Sequence, residues 1–147
     1  MTVKQLSIFI ENQPGRLSAL TELLHNHNID IRALSIAEVE DYGILRIIVS
    51  DVYNASTVLK NADYVFNVTP VLAVPLKDEA GGLAEVAAIL GANNINIEYM
   101  YAFTARRKDK AYVVMRVKET EKAIEVLVNH KYTPVCQQDL NQDLHAE

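Results

Sequence analysis

Asn12-Gln13-Pro14-Gly15-Arg16-Leu17 is the stretch on which the reading of this chain turns. An alternating apolar run, Leu6-Ser7-Ile8-Phe9-Ile10, precedes it. Leucines at helical spacing, Leu17, Leu20, Leu23 and Leu24, follow it. The six residues are therefore a strand-to-helix turn. Pro14 fixes φ and ends the strand. Gly15 lets the backbone approach a ligand with no Cβ in the way. The amides of Arg16 and Leu17 fall in the first helical turn, where no intrahelical acceptor exists. Free N–H donors at the positive end of a helix suit a carboxylate or phosphate. Asn12 adds a side-chain oxygen that accepts from an ammonium group or caps the helix. A turn with a purely structural purpose is the alternative, because strand-to-helix turns use glycine for that reason alone.

The stretch occurs twice. Asp78-Glu79-Ala80-Gly81-Gly82-Leu83 follows Leu72-Ala73-Val74-Pro75-Leu76, and Gly15 and Leu17 map to Gly81 and Leu83 with a shift of 66 residues. Asn28-Ile29-Asp30-Ile31 maps to Asn94-Ile95-Asn96-Ile97 with the same shift. An offset held across a whole helix marks an internal duplication. The 147 residues thus divide into two copies, 1–71 and 72–140, with a polar tail at 141–147. Each copy alone buries a marginal core, so the copies are expected to pack on each other or on a partner.

Each copy reads β-α-β-β-α-β. In the first, strands are expected at 4–11, Ile31–Val39, Ile44–Ser50 and Tyr64–Val71, with a hairpin at Glu40-Asp41-Tyr42-Gly43. The first helix should close near Asn28, which tolerates the left-handed conformation. Asp51 is the N-cap of the second helix. In the second copy, strands are expected at Leu72–Leu76, Asn96–Thr104, Ala111–Val117 and Tyr132–Cys136, and Thr120 is the expected cap of the last helix. Thr133-Pro134-Val135 echoes Thr69-Pro70-Val71 with a shift of 64, so the second copy has lost about two residues in its later half. The fold class is α+β: two ferredoxin-like units in tandem, antiparallel sheets side by side, helices on one face. The join, Val68 to Pro75, is apolar and carries two prolines, unlike a flexible tether.

Composition excludes several classes. Half the residues are hydrophobic, 22% are charged and the formal net charge is −5, which argues against nucleic acid as the main partner. The third strand of the second copy, Ala111-Tyr112-Val113-Val114-Met115-Arg116-Val117, lacks the aromatic-rich basic motif of RNA-recognition modules. Arg106-Arg107-Lys108-Asp109-Lys110 is read as a solvated hairpin tip. No apolar run nears the roughly 20 residues of a membrane span. Cys136 is the single cysteine, so no intrachain disulfide forms. With no signal peptide visible, a cytoplasmic protein is expected. His25 and His27 point to different helix faces, and His130 and His145 have no ligand partner at metal spacing. No metal, cofactor or catalytic residue is expected.

Two units of this order, each with a turn of the form Asp/Asn-x-Pro/Ala-Gly-x-Leu and an Asn-Ile-Asx-Ile stretch leading into strand two, resemble a tandem ACT-domain protein. The resemblance runs from about Lys4 to Leu140 and leaves no catalytic domain over. It implies a stand-alone regulatory module that binds an amino acid or related metabolite between paired domains. The turn of one domain and strand two of the other would hold the ligand. The implied ligand residues are Asn12, Gly15, Arg16 and Leu17 in the first copy and Asp78, Gly81, Gly82 and Leu83 in the second. Ser35 and Tyr101 are the strand-two candidates. Ala80 departs from the usual Pro of the motif, and Asn28 and Asn94 stand where Gly is frequent.

Tyr99, Tyr101 and Phe103 alternate and share a face, whereas their counterparts Ala33, Ser35 and Ala37 are small. The pairing of large with small suits an asymmetric pocket, or sheet packing alone. Exposed strand edges and apolar outer faces favour a homodimer, and a regulated enzyme is a further possible partner. Two other readings stand beside the regulatory one. The protein is a ligand-free assembly scaffold that pairs with another chain, or it is a small acyl-phosphate hydrolase using Arg16 and Asn12.

Overall fold

The computed structural model describes residues 1–104 and 110–142. Arg106 to Asp109 of the expected hairpin tip and residues 143–147 of the tail lie outside the described residues. The chain divides into two compact units, Lys4–Thr69 and Pro70–Glu147, with Met1–Val3 joining the latter. They are called the first and second unit below.

The first unit contains β1 (Val3–Glu11), α1 (Arg16–Asn26), β2 (Ile31–Val39), β3 (Tyr42–Val49), α2 (Val52–Asn61) and the opening of β4 (Val65–Lys77). Its strand order is β2-β3-β1-β4. β3 pairs antiparallel with both β1 and β2. Leu6, Ile8 and Ile10 of β1 and Leu45, Ile47 and Val49 of β3 project to one side. There they meet Leu20 and Leu24 of α1 and Ala55, Val58 and Leu59 of α2. Apolar alternation on the strands and helical spacing on α1 supply two matching faces, and their burial holds the unit together.

The second unit contains the rest of β4, then α3 (Gly82–Ala92), β5 (Ile97–Ala102), β6 (Lys110–Val117), α4 (Thr120–Asn129) and a short α5 (Gln137–Gln142). Its order is β4-β6-β5, again antiparallel. Leu72, Val74 and Leu76 pack with Val113, Met115 and Val117 against Val86 and Leu90 of α3 and Ala123 and Leu127 of α4. Each unit also carries one irregularity at the same place, after Ile31 in β2 and after Ile97 in β5.

Four helices close in one way. The amides of Ile29, Tyr64, Ile95 and Tyr132 reach back to the carbonyls of Leu24, Leu59, Leu90 and Leu127 at 2.8 to 3.0 Å. The residue before each amide, Asn28, Asp63, Asn94 or Lys131, has φ between 55° and 67°. This is the Schellman closure, with an apolar residue following the left-handed one.

Several expected boundaries are corrected. The strands expected at Tyr64–Val71 and Leu72–Leu76 are one strand, β4, because Pro70 and Pro75 both fit extended backbone where their missing N–H is not needed. Thr120 is the first helical residue of α4; Glu119 holds the N-cap position and makes no side-chain cap. Asp51, in contrast, accepts from the Asn54 amide at 3.0 Å as expected.

The strand expected at Tyr132–Cys136 is an irregular segment anchored by one backbone bond, from Val135 N–H to the Ala73 carbonyl at 2.8 Å. The helix closures explain it. Tyr64 corresponds to Tyr132, yet Val65 to Val68 have no counterpart between Tyr132 and Thr133. The body of the fourth strand is therefore missing, and Pro134 offers no donor to what remains. The first residues of the polar tail belong to α5, which extends to Gln142.

Candidate functional site

The first elbow is built by Gly15, which sits at φ 86° as the N-cap residue of α1 and makes no side-chain cap. Only glycine adopts this conformation without a Cβ penalty. The Gly15 carbonyl then receives the Ala19 amide at 2.9 Å and starts the helix. The amide of Arg16 is not free as expected; it closes the turn onto the Gln13 carbonyl at 3.3 Å. The amides of Leu17 and Ser18 have no acceptor among the described residues. The donors that face outward are thus one position later than the sequence suggested.

Asn12 does not cap the helix. Its side-chain amide donates to the Glu40 carbonyl at 3.2 Å, and its backbone N–H donates to the Asp41 carbonyl at 2.9 Å. These bonds fasten the elbow to the β2–β3 turn, where Glu40 has φ 53°. The Asn12 side-chain oxygen is left as an acceptor.

A cavity of about 430 Å³ opens beside this elbow. Ile10, Leu17 and Ile36 form apolar wall, while Glu11, Asn12, Gln13, Arg16 and Glu38 form the polar part. Ile36 is 53% exposed and Leu17 37%, so apolar surface stays uncovered inside the cavity. Gly43 lies opposite both Ile10 and Glu38 in the sheet. A Cβ there would stand 3.7 Å from the Cγ1 atoms of Ile10 and Ile36 and narrow the space. Across the mouth, the Arg16 guanidinium pairs with the Glu11 carboxylate at 3.0 Å. Both side chains are more than half exposed, so the pair is worth little and opens readily.

The second elbow repeats the backbone but not the surroundings. Gly81 has φ 91°, and the Gly82 amide closes onto the Glu79 carbonyl at 3.1 Å. Leu83 and Ala84 offer the outward amides, and Leu83 is 45% exposed. Gly82 is buried, and a Cβ built on it collides with the Lys77 carbonyl oxygen. The tight backbone approach at Gly82 is therefore an approach of helix to strand within the protein. Asp78 is exposed and already has an interaction partner in the chain.

Asn12, Arg16 and Leu17 come together at the first cavity, with Gly15 shaping it. Ser35 is not brought there. It pairs with Arg46, whose neighbours Leu45 and Ile47 point to the helices, so Ser35 lies on the sheet face away from them. Tyr101 has the same placement in the second unit, opposite Val114 and flanked by the core-facing Met100–Met115 pair. Ile10, Glu11, Gln13, Ile36, Glu38 and Gly43 were not singled out from sequence. Strand register is the signal that finds them, because Gly43 pairs with Ile10 and Glu38 only in the observed alignment.

A family model described as an ACT domain pair matches residues 1–144. No curated protein matches the chain closely enough to count. Among solved structures, protein BT0572 from Bacteroides thetaiotaomicron is 42% identical, with 97% of each chain covered and a TM-score of 0.89. The ligand-free regulatory subunit of aspartate kinase from Thermus thermophilus is 15% identical over 87% of this chain and 91% of that one, with a TM-score of 0.60. The corresponding subunit from Thermus flavus is 14% identical over 86% and 90%, with a TM-score of 0.56. At those identities the two kinase subunits speak for the fold alone. The match across nearly the whole length makes the chain a member of the ACT domain pair family.

Proposed function

We propose that the protein is a non-catalytic regulatory module that binds a small amino acid or related metabolite at its first elbow. One observation carries the reading: the exposed Arg16–Glu11 pair stands at the mouth of a cavity with uncovered apolar wall. A bare anion that takes Arg16 leaves Glu11 without its partner, and a bare cation does the converse. An amino acid zwitterion replaces both halves of the pair at once. Its carboxylate takes Arg16 and the outward amides of Leu17 and Ser18; its ammonium takes Glu11 and the Asn12 side-chain oxygen. Its side chain lies against Ile36, Leu17 and Ile10. The family membership and the regulatory subunits that share the fold fit this reading.

Binding regulates only by favouring one arrangement of a partner over another, whether a second copy or an enzyme. The test is a melting-temperature scan of the whole chain against the twenty amino acids, with purine bases and other small acids as a second panel. A ligand at about 100-fold over its Kd adds about 2.7 kcal/mol. A flat response to both panels defeats the proposal and leaves the assembly scaffold as the better reading.

A further inference from the structure

The second unit holds another cavity, of about 340 Å³. Its floor is Pro75 and Leu76 of β4, and Tyr132 and Glu85 form one wall. Lysines reach it from three elements: Lys77 ends β4, Lys110 opens β6, and Lys131 follows α4. His130 completes the lining, its Nδ1 held by the Val126 carbonyl at 2.8 Å.

Three features set this lining apart, and all three of its lysines are exposed at the cavity. Lys77 and Lys110 stand directly opposite each other across β4 and β6. Like charges in that register destabilise a sheet. Lys131 occupies the left-handed helix-closing position at φ 67°, where the other helices use Asn28, Asp63 and Asn94. A lysine there carries a backbone penalty that asparagine largely avoids. None of the three lysines has an ion-pair partner among the described residues. Glu85 accepts from the Tyr132 phenol and keeps its charge, and Glu79 also acts on that phenol, so the lining sets three lysines against one carboxylate with a second nearby. Since the chain as a whole carries a net charge of −5, this is a local excess against the general field.

We infer that this cavity is an anion site of the second unit, taking a small molecule with two or more negative charges on oxygen. A phosphate ester or a di- or tricarboxylate has that chemistry, with its carbon part resting on Pro75 and Leu76. The anion neutralises the opposed lysines and gives Lys131 a purpose at a position that local backbone preference assigns to asparagine. The inference does not depend on the first elbow.

Isothermal titration of the whole chain with pyrophosphate and with citrate, ionic strength held constant by sodium chloride, tests it. At least one probe binds, and which one separates a phosphate source from a carboxylate source. Lys77→Gln with Lys110→Gln weakens that binding about tenfold or more. Lys131→Asn also weakens it while raising the melting temperature, a combination that a purely structural lysine does not give. Arg16→Gln leaves it unchanged. Binding no tighter than that of chloride, binding that survives the double substitution, or loss on Arg16→Gln instead would each overturn the assignment.

Discussion

Replacing Gly82 by alanine adds one methyl group where the structure has no room. The new Cβ runs into the Lys77 carbonyl oxygen, with the carbonyl carbon 3.3 Å and the Lys77 Cα 3.8 Å away. These are backbone atoms at the end of β4, so no side chain can turn aside; the first turn of α3 must lift off the strand. Forced overpacking of this kind costs about 1–3 kcal/mol, and a backbone obstacle puts it at the upper end. At the first helical position alanine returns less than the roughly 1 kcal/mol it gives in a helix interior. The net expectation is a loss of about 2 kcal/mol. Gly91→Ala is the control in the same helix. Its Cβ meets nothing within 4 Å, so propensity acts alone and the variant gains up to about 1 kcal/mol. Gly15→Ala is the second control, with open space but φ 86°, and loses about 1–2 kcal/mol through backbone strain. Urea unfolding followed by circular dichroism at constant m reads all three. An upward shift of the midpoint for Gly82→Ala together with Gly91→Ala would refute the clash with the Lys77 carbonyl.

Arg16→Gln and Glu11→Gln should each weaken an amino acid identified by the melting scan about tenfold, about 1.4 kcal/mol, with little change in the stability of the free protein. Calorimetric titration of each variant checks it, and unchanged affinity in both would remove the elbow from the site. Asp51→Ala should cost about 1 kcal/mol, since it strips the Asn54 amide of its cap; a neutral urea midpoint contradicts this. Burial, with the adjacent Glu85 and Glu79, raises the Tyr132 phenol above its ordinary value of 10.0. As pH climbs through 10 the unfolded chain therefore releases this proton before the folded one, and stability falls. Tyr132→Phe should flatten that part of the alkaline stability profile, and an unchanged slope would refute the cause.

The elements legible from sequence were those with a repeating chemical pattern. Leucine spacing and the paired Gly15 and Gly81 announced α1 and α3, and Asn28 and Asn94 sit at φ 55° and 57° where a helix has to close. Asp63 and Lys131 do the same work at φ 62° and 67°, where no asparagine stands to advertise it. Missing them hid the alignment of α2 with α4. That in turn disguised the four residues lost before Thr133 as a loss of about two. The site was legible only where it belongs to one stretch. Asn12 to Leu17 could be read as an elbow, but Ile36, Glu38 and Gly43 join it through strand register. Register is set by the whole hairpin and its turn, not by any one residue.

Whether the two elbows are equivalent depends on more than their backbone. Backbone geometry alone would make them so, because Gly15 and Gly81 agree within a few degrees of φ. The next residue separates them. Arg16 places a guanidinium at the cavity mouth, and at the matching position Gly82 seats α3 against the Lys77 carbonyl. A glycine chosen for helix–strand contact contributes no charge to a ligand, and replacing it with arginine is sterically closed. The second elbow thus lacks the ion pair that a zwitterion would displace, and Lys77, the counterpart of Glu11, carries the opposite charge. Duplication preserved the backbone that makes a helix start. The charges that select a ligand diverged, so one zwitterion should bind per chain, at the first elbow. A calorimetric stoichiometry of two, with equal affinities, would contradict that chain of reasoning at its central step.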